Sequence, residues 1–146
     1  MSAIASTRSV SKSELMRAGD RAADVVAEHG RALATYRGSG YVLTTLLCYL
    51  DETRDIHLMK SELEAITARL VSESGVTQFV LTEQHQGYRD GLAPERFDER
   101  ELGDYFNELN ESNEAGAGRA MADGIDFLRD ALGEVNGDTV VILTIG

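Results

Sequence analysis

The chain has 146 residues, of which 42% are hydrophobic, and its formal net charge at pH 7 is −11. That length suits one domain with a sizeable core, and the apolar content is too high for a disordered chain. The acidic balance argues against direct binding of nucleic acid, and no apolar run reaches the ~18 residues of a membrane helix.

The first ten residues are rich in Ser and Ala and show no hydrophobic period. We therefore expect a flexible tail over residues 1–10 and a single globular domain over residues 11–146. The tail lacks the apolar segment of a secretory signal, which favours a cytoplasmic protein. Ile4 and Val10 are too few apolar anchors to order it against its own domain. We expect it to contact another chain in an oligomer or a larger assembly, such as a phage or virion particle.

Helical signals dominate the first half of the chain. Residues 11–14 have the pattern of a capping box, and apolar residues continue at helical spacing over residues 15–33, which predicts one long helix. Residues 41–50 are rich in Val, Thr and Tyr, which favours a strand, although a buried helix fits the same run. A 3-4-3-4 apolar spacing over residues 56–70 predicts a second helix.

The second half continues with elements of both kinds. Residues 76–82 carry β-branched and aromatic side chains and predict a strand, and residues 83–95, with Gly and Pro, predict a loop. A third helix begins near Asp98, and a fourth covers residues 121–132. Residues 138–145 predict a closing strand that is apolar on both faces, which suits a central position in a sheet.

This order of elements predicts an α/β or α+β domain. We expect a small three-stranded sheet packed with four to five helices. A strand-helix-strand unit within it would make a right-handed parallel crossover. The alternative architecture is a mainly α-helical domain with a two-stranded ribbon.

Acidic residues concentrate in the C-terminal part of the chain. Residues 1–89 contain 11 acidic and 10 basic side chains, whereas residues 90–146 contain 14 acidic and 4 basic side chains. Such asymmetry is typical of a surface that faces a cationic neighbour, and it also serves plain solubility.

The third helix carries the sharpest feature, a stripe of four carboxylates opposite its apolar side. They are Glu101, Asp104, Glu108 and Glu111. Their spacing of three or four residues makes them repel one another, at about 0.2–0.5 kcal/mol for each pair. Arg100 is the only base near the stripe, whereas exposed helices usually intersperse Lys or Arg. We interpret the stripe as a surface that binds a basic protein or a neighbouring subunit, because complementary charge speeds association.

This interpretation predicts a non-catalytic protein that acts by protein–protein interaction. An immunity protein, an inhibitor and an assembly subunit all work in this way. We expect no cofactor and no metal. A solvated acidic face without a dedicated partner is the competing reading of the stripe.

An enzyme is the alternative hypothesis, and it depends on His57, His85 and Glu83. If residues 41–50 and 76–82 formed adjacent parallel strands, these side chains would meet at one edge of the sheet. Imidazole and carboxylate groups there could bind a divalent metal or act as acid and base. The spacing of the histidines matches no metal-binding motif, and phosphate-loop and nucleophile-elbow motifs are absent.

Overall fold

The computed structural model describes residues 3–146, in which four strands form one sheet. The strands are β1 (Ala5–Ser11), β2 (Arg31–Thr35), β3 (Thr77–Leu81) and β4 (Thr139–Ile145), and they lie in the order β2-β1-β4-β3. All three neighbouring pairs are antiparallel. The α+β class is confirmed, with four strands instead of three, whereas the parallel crossover and the helical alternative are wrong.

Helices cover both faces of this sheet. Within residues 3–146 the α-helices are α1 (Lys12–Ala18), α2 (Ala22–His29), α3 (Gly40–Thr53), α4 (Glu64–Ser74), α5 (Glu99–Leu109) and α6 (Ala117–Leu132). Short 3-10 turns join several of them. In this described part of the chain, no helix has the length and apolar character needed to cross a membrane.

Strand β4 lies at the centre and divides the core into two halves. Its side chains alternate, so that Val140 and Ile142 pack with α1, α2 and α4, while Val141, Leu143 and Ile145 pack with α3, α5 and α6. Strand β4 pairs with β1 on one side and β3 on the other, and helices pack on both of its faces, so it is buried. The prediction of a central C-terminal strand is confirmed.

The prediction of a flexible N-terminal tail is wrong for residues 5–10, which form most of β1. This strand lies between β2 and β4, and its Val10 is buried opposite Val140. Its order comes from hydrogen bonds to strands far away in the sequence, which composition does not report. The expected contact with another chain is therefore not needed to order these residues. Met1 and Ser2 lie outside the described residues.

The single long helix predicted after residue 11 is wrong, because α1, a 3-10 turn, α2 and β2 take its place. Ser11 does cap α1, since its side chain accepts a hydrogen bond from the backbone amide of Glu14. Helix α1 ends at Gly19, whose φ of 56° is easy for glycine and strained for other residues. After α2, residues 31–35 form the exposed edge strand β2.

Residues 41–50 form most of helix α3, so the predicted strand is wrong. The helix begins after Ser39, whose side chain accepts from the amide of Tyr41. Side chains on several sides of α3 are buried, which removes the polar stripe that marks a surface helix. Apolar content alone could not separate this helix from a buried strand.

The helix predicted over residues 56–70 begins only at Glu64. Residues 54–63 are a loop that buries Ile56, Leu58 and Leu63. Asp55, with a φ of 55°, interrupts any continuation of α3. The remaining predictions are confirmed in outline, since β3, α5, α6 and β4 lie close to the expected ranges and 3-10 turns occupy most of residues 83–96.

Candidate functional site

Helix α5 positions the predicted stripe at the surface. Its start is capped by Asp98, whose carboxylate accepts from the amide of Arg100 at 2.9 Å. Leu102 and Phe106 are buried and hold the helix against the core formed with α3 and α6. The carboxylates of the stripe are all exposed, but their surroundings differ.

Glu101 is already engaged within the protein. The Tyr49 hydroxyl donates to its Oε1 atom at 3.0 Å, and the Arg54 guanidinium lies 3.8 Å from its Oε2 atom. The same guanidinium stacks over the Phe97 ring, 4.5 Å from the centroid. Glu101 therefore links α5 to the C-terminal end of α3 and is partly neutralised by Arg54.

Glu108 and Glu111 line a cleft between α5 and the last turn of α3. We call it the acidic cleft; its volume is about 390 Å³ and its lining is Glu52, Tyr105, Glu108, Leu109 and Glu111. No lysine or arginine is among these lining residues. Glu111 is not on the helix, which ends at Leu109; it follows the C-cap with a φ of 50°.

Tyr105 forms one wall of the acidic cleft and donates a hydrogen bond to Oε2 of Glu52 at 2.8 Å. Burial, with this carboxylate as the second cause, raises the pKa of Tyr105 above its ordinary value, so the phenol keeps its proton. Leu109 is 53% exposed, although it follows the buried Leu102 and Phe106 at helical spacing. The cleft thus combines three carboxylates with an apolar surface.

Asp104 faces a different part of the surface. It lines a second depression of about 510 Å³ together with Arg100, Arg119 and Glu114. Arg119 is paired with Glu99 at 3.1 Å, so positive charge is present there. The stripe is therefore one exposed face in which only Glu108 and Glu111 share the acidic cleft.

Sequence reasoning missed Glu52 and Leu109 as members of this site. Glu52 follows a segment that was predicted as a strand, and no local pattern places it beside the third helix. Leu109 keeps the helical apolar spacing but lies at the last position of α5, where the core ends. An apolar residue at a helix terminus next to acidic neighbours is the only signal that could have indicated it.

The histidines of the enzyme hypothesis lie in different environments. His57 is in the loop after α3, where Nδ1 lies 2.5 Å from Asp51 and Nε2 lies 2.6 Å from Asp55. The hydrogen bond to Asp51, and to a smaller extent the one to Asp55, raises the pKa of His57 above the ordinary value of 6.5. Both ring nitrogens are occupied by carboxylates of the same protein.

His85 is buried and has a structural role. Its Nδ1 atom accepts from the backbone amide of Thr82 at 2.9 Å, so Nε2 carries the hydrogen and donates to the carbonyl of Lys60 at 2.6 Å. Glu83, the first residue of the 3-10 turn that contains His85, is exposed. The rings of His57 and His85 both approach Tyr88, at centroid distances of 6.5 and 6.3 Å.

These contacts leave neither histidine a free ring nitrogen for substrate or metal. The parallel strand edge on which the enzyme hypothesis depended does not exist, because α3 replaces one strand and the sheet is antiparallel. Among residues 3–146, no group of three or more His, Cys, Asp or Glu side chains is arranged to hold a metal ion.

Comparison with known proteins found no relative of this chain. The chain matches no protein-family model, and it has no significant similarity to a curated protein or to a solved structure.

Proposed function

We propose that this protein is a non-catalytic binding protein that docks its acidic face on a basic protein partner. The acidic face consists of Glu52, Glu101, Asp104, Glu108 and Glu111. The observation that carries the proposal is the acidic cleft, in which three carboxylates surround an exposed leucine without a lining lysine or arginine. Immunity proteins, inhibitors and assembly subunits use surfaces of this kind.

The chemistry of the acidic cleft fits an arginine or lysine side chain of the partner. Such a side chain has an apolar stem and a charged head, so the stem would lie on Leu109 and the head would meet Glu108 and Glu111. Tyr105 holds Glu52 in place by its hydrogen bond, which reduces the freedom that Glu52 loses on binding. Exposed carboxylates also steer a basic partner toward the face.

The test compares two double substitutions that change the net charge by the same amount. Glu108→Gln with Glu111→Gln removes two carboxylates from the acidic cleft. Glu14→Gln with Glu28→Gln removes two exposed carboxylates from α1 and α2, across the sheet from α5. The probe is a fluorescent arginine-rich peptide, and its dissociation constant is measured at low and high salt.

We expect the cleft substitutions to weaken peptide binding by roughly 2- to 30-fold. They remove two ion pairs with the peptide, and each exposed ion pair contributes about 0.2–1 kcal/mol. The control should bind like the unmodified protein at the same ionic strength. A carbodiimide cross-link between Glu108 or Glu111 and a basic protein captured from native lysate would then locate the natural interface. Equal weakening by the two double substitutions would show that only net charge matters and would overturn the proposal.

A further inference from the structure

His57 is held between two carboxylates, those of Asp51 and Asp55, which lie six and two residues before it in the chain. Asp51 lies in the last turns of α3, and Asp55 lies just beyond the end of that helix. The ring atoms Nδ1 and Nε2 are 2.5 and 2.6 Å from the two carboxylate oxygens. A neutral imidazole has one N–H group, and the imidazolium has two. Only the cation can therefore donate to both carboxylates at once.

The groups that face His57 all favour this cation or are neutral to it. Asp51 faces it from α3 and Asp55 from its own loop, and these are the charged groups that influence it. From the 3-10 turn at residues 83–88, the Tyr88 ring meets it edge to face at a centroid distance of 6.5 Å. His57 also lies beside the C-terminal turn of α3, whose dipole favours positive charge.

Loss of the proton makes this arrangement unfavourable. One ring nitrogen then points a lone pair at a carboxylate oxygen less than 3 Å away, so one of the two contacts must open. Asp55 is the weaker attachment, because its side chain is 95% exposed, whereas that of Asp51 is 36% exposed.

We propose that His57 is a pH-sensitive clasp, which in its cationic form fastens residues 54–57 to the last turns of α3 and releases them when it loses its proton. The direction of the pH dependence follows from the raised pKa of His57. The stabilisation by the clasp is complete below the unfolded-state pKa near 6.5 and is lost as pH rises through the higher folded-state pKa.

Release stays local because the same loop has apolar anchors. Ile56 and Leu58 are buried on either side of His57 and hold the loop against the core. Arg54, next to Asp55, donates to the carbonyl of Arg96 at 3.0 Å and pairs with Glu101. The clasp itself does not depend on the proposed binding function.

The experiment follows His57 and its loop by NMR in the full-length protein. The imidazole carbon-bound protons report the titration of His57, and amide exchange protection factors report the order of residues 54–57 over the same pH series. We expect His57 to titrate above pH 6.5, with a loss of protection at the same midpoint. Protection in the centre of β4 should stay constant and serves as the internal control.

Two variants separate the carboxylates. Asp51→Asn and Asp55→Asn each remove one charge, and asparagine tolerates the backbone of residue 55. Each should lower the His57 pKa and move the loss of protection to lower pH. Asp24→Asn, which removes an exposed carboxylate from α2, should change neither. A His57 titration at or below pH 6.5, or one that leaves the protection of residues 54–57 unchanged, overturns the clasp.

Discussion

Gly118 on α6 lies directly against the backbone of Glu99 on α5. A Cβ atom added to Gly118 would overlap the Glu99 carbonyl oxygen, and a Cβ added to Gly103 would lie 3.2 Å from the Gly118 amide nitrogen. Two glycines therefore allow the backbones of α5 and α6 to touch. This contact sets the position of α5 and, with it, the position of the acidic face.

Substitution of Gly118 by alanine is expected to force α5 away from α6. Overpacking of a core typically costs about 1–3 kcal/mol, and a collision with backbone cannot be relieved by a change of rotamer. We expect Gly118→Ala to lower the free energy of unfolding by roughly 3 kcal/mol, measured by urea denaturation. Gly116→Ala is the matched control, because nothing lies within 4 Å of its added Cβ and its φ is −91°. Equal stability of the two variants would contradict the close contact.

Deletion of residues 1–10 is expected to prevent folding. The deletion removes all of β1 except Ser11 and leaves β2 and β4 without the strand that joins them. It also removes the buried Ala5 and Val10 from the two halves of the core. Calorimetry should show no cooperative transition for the truncated chain, whereas Ile4→Ala, a change at an exposed position, should leave the transition nearly unchanged. A truncated chain that melts within a few degrees of the full-length protein would show that β1 is dispensable.

Asp138 is expected to contribute to stability at neutral pH and to lose that contribution in acid. Its carboxylate accepts from the Ser13 hydroxyl at 2.6 Å, from the Ser11 hydroxyl at 2.9 Å and from the Ser13 amide at 3.1 Å. These bonds, the Ser13 hydroxyl first, lower the pKa of Asp138 below its ordinary value of 3.8. A lowered pKa means that the stabilisation is present above pH 3.8 and is lost as pH falls through the folded-state pKa.

The measurement is the Tm of Asp138→Asn and of the unmodified protein as a function of pH. The variant should melt at lower temperature near neutral pH, because its amide cannot accept all three bonds as a carboxylate does. The difference in Tm should shrink as the pH falls below 3.8. A difference that stays constant down to strongly acidic pH would contradict the assignment.

Elements with a complete local pattern were predicted well. In α6, Met121, Ile125, Leu128 and Leu132 recur at helical spacing, and all four are buried. The strand β4 was equally clear, because its continuous apolar run leaves no face for solvent. Both patterns report burial of a face that lies within one element, so no knowledge of distant residues is required.

Elements whose partners are distant in sequence were predicted poorly. Strand β1 has small polar residues on much of its length, and its order depends on β4, more than 100 residues further along the chain. Helix α3 is buried too completely to show a polar stripe, so its sequence has no helical alternation of apolar and polar residues. In the candidate site, Glu108 and Glu111 were expected from the spacing of the stripe, but Glu52 was not.

The sequence by itself determined the acidity of the C-terminal part, the helices α5 and α6, the strand β3 and the central strand β4. Only the tertiary structure decided that β1 completes the sheet and that Glu52 meets Glu108 and Glu111 across a cleft. The physical reason is the range of the interactions. Apolar periodicity records how each segment faces the core, whereas strand pairing, clefts and charge clusters arise from the packing of separate segments.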